Sequence, residues 1–186
     1  MRRELLGVTD HFAVLGIPHA AWLDADDLKE RFHRLSAQHH PDASGGSAPA
    51  FTDLNGAWQT LRDPAKCLRH YLEHEHPAAL AASEQTPPEL SELFMDIAAF
   101  RQAAQRLATR IAAASTPLTR AFLEPERIAL RAQAESLGST VAGRSEEIIA
   151  ALKSGSPPPE QLSKLLASLV FLGKWTTQIA ETRLGL

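Results

Sequence analysis

The chain has 186 residues, enough for one domain or two small ones of about 100 residues each. Its 19 Lys and Arg nearly balance its 22 Asp and Glu; residues 1–76 carry 8 against 11 and residues 77–186 carry 11 against 11. This argues against a general nucleic-acid binder, and neither half is a polybasic arm. No stretch free of Gly, Pro and charge approaches the ~20 residues of a bilayer-spanning helix, so no membrane segment is expected. The start, Met1-Arg2-Arg3-Glu4-Leu5-Leu6-Gly7, lacks an apolar core, and no secretory signal is read. With one cysteine, Cys67, neither a disulfide framework nor a Cys-rich zinc site is expected, and a reducing cytoplasm is the default.

Period 3.6 recurs along the chain and period two is almost absent, which predicts an all-α protein. Asp10 caps a short helix carrying Phe12 and Leu15, ended by Gly16 and Pro18. Asp24 caps a second helix with inner residues Leu28, Phe32 and Leu35, which stops before Pro41 because proline disfavours helical geometry in the residue ahead of it. A loop, 43–47, leads to a third helix with Phe51, Leu54, Trp58 and Leu61 on one face. Asp63-Pro64 opens a fourth helix reaching about Glu75. Residues 77–86 read as a linker between an amino-terminal domain, 9–76, and a helical bundle, 87–186.

In the bundle, Thr86-Pro87-Pro88-Glu89 has the spacing of a capping box. The helix it opens carries Leu90, Ile97, Ala104 and Ile111 at one heptad position and Leu93, Phe100 and Leu107 at the other. A middle helix, 126–152, is weakened by Gly138 and Gly143. A loop, 154–159, precedes a last helix with Leu162, Leu165, Leu169, Leu172 and Ile179 inward. Short connections imply an antiparallel three-helix bundle.

His40-Pro41-Asp42 falls where the second and third helices join. Proline ends the helix and stiffens the turn, so His40 and Asp42 project from the tip of a hairpin. A projecting carboxylate suits a charge-assisted hydrogen bond to an arginine of a partner. Alone, the tripeptide equally suits a helix stop with an Asx-type turn.

With its flanking apolar faces, this arrangement resembles the J-domain (DnaJ-type) family. The resemblance implies that His40, Pro41 and Asp42 contact a DnaK-type heat-shock chaperone, and that cations of the second helix, Lys29, Arg31, Arg34 and His33, face an acidic patch on it. Asp26, Asp27 and Glu30 dilute that patch. Many relatives have Tyr before the tripeptide and Lys or Arg after it, where this chain has His39 and Ala43.

Two segments, 10–18 (Asp-His-Phe-Ala-Val-Leu-Gly-Ile-Pro) and 54–64 (Leu-Asn-Gly-Ala-Trp-Gln-Thr-Leu-Arg-Asp-Pro), are similar to the HscB/Jac-type co-chaperones of iron–sulfur cluster assembly. So are Leu93-Phe94-Met95-Asp96 and Phe171-Leu172-Gly173-Lys174. That resemblance implies a monomeric co-chaperone, not an enzyme, which delivers an IscU-type cluster scaffold protein to a DnaK/HscA-type chaperone and holds no cofactor itself. It places the scaffold-binding face at Phe94, Met95, Ala98, Ala99, Arg101, Gln102 and Phe171.

A helical wheel also turns three of these outward: Met95 lies roughly 160° from the centre of its helix's core stripe, Phe94 about 100°, and Phe171 roughly 140° from its own. The alternative is that Phe94 is boundary core and that Met95 and Phe171 pack against the amino-terminal domain. Two wider alternatives are a J-domain protein serving another client and a helical interaction module with an accidental tripeptide. His70, His74 and His76 contain an i, i+4 pair but read as a solvated helix end, so no metal is expected; Cys67 reads as a small buried hydrophobe.

Overall fold

The computed structural model describes residues 9–40, 46–80, 87–155 and 157–186. Among them the regular structure is helical, without a strand. No helix is long and apolar enough to cross a membrane. The chain divides into two compact units, Met1–Ser83 with Leu152–Leu166, and Glu84–Ala151 with Ala167–Leu186.

The first unit is built on four helices: α1 (His11–Leu15), α2 (Ala25–His39), α3 (Ala48–Leu61) and α4 (Pro64–Glu75). A five-residue helix such as α1 is unstable alone, so its ends must be held from outside. Asp10 accepts a hydrogen bond from the Ala13 N–H at one end. At the other, Gly16 takes the left-handed conformation, φ +62°, that closes a helix and that other residues adopt at a cost. The Arg31 guanidinium, nearly two turns into α2, donates to the Leu15 and Gly16 carbonyls, both at 2.8 Å. Packing completes the hold, with Phe12 and Leu15 fully buried.

Asp24 and Asp63 each cap a helix by accepting two backbone N–H groups, and Pro64 fills the first turn of α4. α1 and α2 pack on α3, and α3 packs on α4. The core joins Leu28 of α2 to Leu54, Ala57 and Leu61 of α3 and to Cys67 of α4. The rings of Phe32 and Trp58 stack at 4.8 Å, fixing α2 against α3. Where composition reads as linker, Pro77–Leu80 instead forms one helical turn, α5. Lys153 places its ammonium 4.9 Å from the Trp22 ring centre, tying residues 152–166 into this unit.

The second unit holds α6 (Ser91–Ala113), α7 (Pro117–Ala121) and most of the long helices α8 (Glu124–Lys153) and α9 (Pro159–Leu184). All seven heptad residues, Leu90 just ahead of α6 and six within it, lie in or against one core. α8 adds Leu130, Ala134, Leu137 and Val141, and α9 adds Leu172, Trp175 and Ile179, each set spaced three or four apart so that one face of the helix is buried. Arg110 near the end of α6 pairs with Glu126 at the start of α8, and Arg183 near the end of α9 pairs with Glu135 of α8. These pairs join the end of α6 to the start of α8, and the end of α9 to α8.

Three expectations change here. The capping residue Thr86 lies outside the described residues; α6 is entered through a single 3-10 turn, Pro88–Leu90, whose cap position Pro87 has no side chain able to accept a hydrogen bond. Gly138 and Gly143 do not interrupt α8, because packing of its apolar face outweighs a propensity cost of about 1 kcal/mol each. The short helix α7 was not foreseen. Thr116 opens it in a reciprocal capping box with Thr119, where the usual partner is Glu or Gln.

Candidate functional site

α2 ends at His39, and His40 is extended (φ −57°, ψ 136°), the geometry that the following proline requires. The Ser47 N–H donates to the His39 carbonyl at 3.3 Å, closing the connection between α2 and α3. The His40 ring meets Phe51 of α3 edge-on at 5.4 Å. One residue of the tripeptide is thus fixed at the joined ends of the two helices. Pro41 and Asp42 lie outside the described residues.

The cations of α2 separate into two kinds. Lys29, His33 and Arg34 are exposed. Arg34 borders a cavity of about 360 Å³ that is also lined by Asp27 and Glu30, so acids surround its charge. Arg31 is half-buried and spends its guanidinium on the Leu15 and Gly16 carbonyls. Expected on the partner-facing surface, it serves as a capping group for α1. A Cβ at Gly16 would lie 2.6 Å from the Arg31 guanidinium nitrogen, which shows how closely the two are fitted.

In the second unit, Phe94 is 49 % and Met95 64 % exposed. Phe171 is half-buried against the core, 5.9 Å from Trp175 and beneath the Lys174 ammonium. Phe94 lies 6.2 Å from the same Trp175, which therefore joins the two phenylalanines across α6 and α9. Phe94, Ala98 and Arg101 follow one another at i, i+4 and i+7, and Arg101 reaches Gln178 of α9 at 3.5 Å. Ala98, Arg101 and Gln102 line a groove of about 550 Å³ with Glu181 and Thr182. Ala99 is exposed, as is Gln102. The named residues thus run along α6 beside α9, though Phe171 offers less surface than its wheel position implies.

Four exposed apolar side chains escaped the sequence reading: Leu118, Phe122 and Ile128, which are 66 %, 75 % and 59 % exposed on and after α7, and Leu184 at the end of α9. The threonine-proline start of α7 was the available signal for the first three.

The histidines of α4 are not a solvated helix end. His70 is 3 % exposed, its ring beside Phe12 and His11, and its Nε2 accepts the His11 N–H at 3.0 Å. Burial holds its pKa below the ordinary value, and the neighbouring His11 and His74 act in the same direction. His19 binds Glu75 through Nδ1 and Asp10 through Nε2. Burial opposes charge on both His19 and Asp10, but these bonds, with the Ala13 N–H on Asp10, outweigh it: His19 is raised and Asp10 lowered. Cys67 is buried and its thiol is pushed up to about 12 by burial and by Asp63, so it is no nucleophile.

Comparison with known proteins agrees with the hairpin. The family model "DnaJ domain" matches residues 10–71. The chain is 36 % identical over 72 residues to "Chaperone protein DnaJ" of Caldicellulosiruptor saccharolyticus, covering 37 % of this chain and 18 % of that protein. It is 39 % identical over 61 residues to "Chaperone protein DnaJ" of Acidiphilium cryptum, covering 31 % and 15 %. The chain thus spans under a fifth of the length of these relatives, and the family-model match falls within the first unit. Capped α1, the paired α2 and α3, and His40 at their junction are what the match covers: residues 10–71 of this chain are a DnaJ domain.

Proposed function

We propose that the chain is a co-chaperone whose residues 9–76 stimulate the ATPase of a DnaK-type heat-shock chaperone, while residues 87–186 bring an iron–sulfur cluster scaffold protein of the IscU type to that chaperone. The observation that carries the first half is His40 following α2 directly, at a hairpin junction inside a DnaJ domain. In this reading Asp42 accepts a charge-assisted hydrogen bond from a chaperone arginine, and Lys29, His33 and Arg34 supply long-range attraction. ATP is bound and hydrolysed on the chaperone, an HscA-type one in the finer version, and the chain itself supplies no catalytic group. It works as a monomer in the chaperone's own compartment, the cytoplasm.

The second half rests on the HscB resemblance together with the exposure of Phe94 and Met95, Phe94 lying beside Trp175. Large apolar groups clustered on a surface favour a protein partner. Holding client and chaperone on one chain raises their effective concentration for each other.

Single-turnover ATP hydrolysis by a DnaK-type chaperone tests the first half. Stimulation is expected from the intact chain and not from His40→Gln or Asp42→Asn, with helical circular dichroism unchanged. Stimulation that survives both substitutions would overturn it. Capture of purified cluster scaffold tests the second: Phe94→Ala, Met95→Ala and Phe171→Ala should each weaken it. A different client is the second reading, favoured by the apolar group at Leu118, Phe122 and Ile128. Phe122→Ser would then disturb client binding while Met95→Ala would not.

A further inference from the structure

One cluster of ligand-type side chains in the first unit takes no part in the co-chaperone reading. A ligand atom from each of Asp10, His70 and His74 lies within 4.8 Å of the others. His70 and His74 stand one turn apart on α4 and so share a face, while Asp10 comes from the cap of α1, about sixty positions away in the chain. A pair of imidazoles at i, i+4 is a recurrent chelating arrangement, and a carboxylate from a second element completes three protein ligands.

Two further observations point to an ion. The Nε2 atom of His74 is shut off from solvent and has no hydrogen-bond partner among the described residues. A buried nitrogen left in that condition is uncommon in folded proteins and calls for a reason. His70 supplies the second. Because its Nε2 accepts the His11 N–H, that nitrogen carries a lone pair and the ring proton sits on Nδ1, 3.5 Å from the Glu73 carboxylate. A carboxylate behind the far nitrogen is what orients an imidazole for a metal. The Asp10 carboxylate is steadied in the same way by the Ala13 N–H and by His19, whose other nitrogen is held by Glu75.

We propose that Asp10, His70 and His74 form a binding site for a zinc-class divalent cation, which clasps the start of α1 to α4. Nitrogen and carboxylate donors suit zinc and its first-row neighbours better than calcium or magnesium, which prefer all-oxygen sites. Binding turns the His70 lone pair from the His11 N–H to the ion, at the expense of one backbone hydrogen bond. The ion gives His74 Nε2 its partner. Three protein ligands leave a coordination position for water, and the clasp joins two elements that the fold otherwise connects by packing, by His19 and by the bond from the His11 N–H to His70. This inference is independent of the co-chaperone reading.

The test uses the full chain, stripped with chelator and desalted. Zinc chloride is titrated by calorimetry, and cobalt by visible absorption. One equivalent is expected, with a rise in the thermal midpoint as zinc is added, because an ion that binds only the folded chain stabilises it. His74→Gln and Asp10→Asn should each weaken binding about tenfold or more, the range seen when groups of a metal site are removed. Asparagine caps helices as well as aspartate, so Asp10→Asn keeps α1 while losing the anionic donor. His33→Gln, on the exposed face of α2, should leave zinc binding and the zinc-induced rise in the thermal midpoint unchanged. No bound equivalent, or zinc binding of equal strength in Asp10→Asn and His74→Gln, overturns the proposal; the second result would place the ion on other histidines.

Discussion

Replacing Arg31 with alanine separates a structural role from a recognition role. The side chain makes two hydrogen bonds, both at 2.8 Å, to the carbonyls that end α1. Bonds to a charged group contribute about 1.5–3 kcal/mol each. Here the donor is only half-buried and water can reach the carbonyls after truncation, so a combined loss of about 2 kcal/mol is expected. With a urea slope of roughly 2 kcal/mol per molar, the unfolding midpoint of the DnaJ domain should fall by about 1 M.

Lys29→Ala and Arg34→Ala, on the exposed face, should stay within about 0.5 kcal/mol of the parent. Half-saturation of chaperone ATPase stimulation, measured well below the unfolding midpoint and at two salt concentrations, reads the other role. Lys29→Ala and Arg34→Ala should raise it, more at low salt than at high. Arg31→Ala should leave it nearly unchanged. An unaltered urea midpoint together with a raised half-saturation for Arg31→Ala would refute the reasoning and return Arg31 to the recognition surface.

Three other outcomes follow from the packing. Leu54→Ala, at a position 1 % exposed, should cost about 3 kcal/mol through lost burial and the cavity left behind, read as a lower urea midpoint. Gly138→Ala and Gly143→Ala should each stabilise α8 by up to about 1 kcal/mol, since a Cβ at either position meets nothing within 4 Å; differential scanning calorimetry of the second unit's transition checks this. Cys67, buried and with its pKa raised to about 12, should resist a disulfide reagent at pH 8 in the native chain and react fully in urea. Native labelling at the rate of an open thiol would contradict its place in the core.

Much of this architecture is written locally. Asp10, Asp24 and Asp63 act as caps where their positions ahead of apolar periods put them, and Gly16 ends α1 as its spacing implies. The heptad of α6 survives residue for residue because burial reads the same period that the sequence carries. What escaped depends on contacts distant in the chain. Nothing near Arg31 says that two carbonyls sixteen and fifteen positions earlier will claim its charge. His70 reads as polar and therefore solvated, yet α1 supplies an N–H and a phenylalanine ring that make its burial tolerable.

The bundle face divides along the same line. A wheel turns Met95 out correctly because exposure there depends on one helix alone. Phe171 depends on its neighbours too: it packs against the core, with Trp175 beside its ring. Pro41 and Asp42, which we propose contact the chaperone, are legible only as a motif between the two helices that flank them.

The bond from Ser47 to the carbonyl of His39 closes the join between α2 and α3 from its ends, and the core beneath holds those ends together. Closure entropy grows only with the logarithm of length, so doubling that connection would cost the fold about 0.6 kcal/mol. A library screened for solubility or melting temperature would therefore let its length and composition drift unnoticed. Conservation of spacing there, wherever found, would have to be enforced by whatever molecule docks upon it.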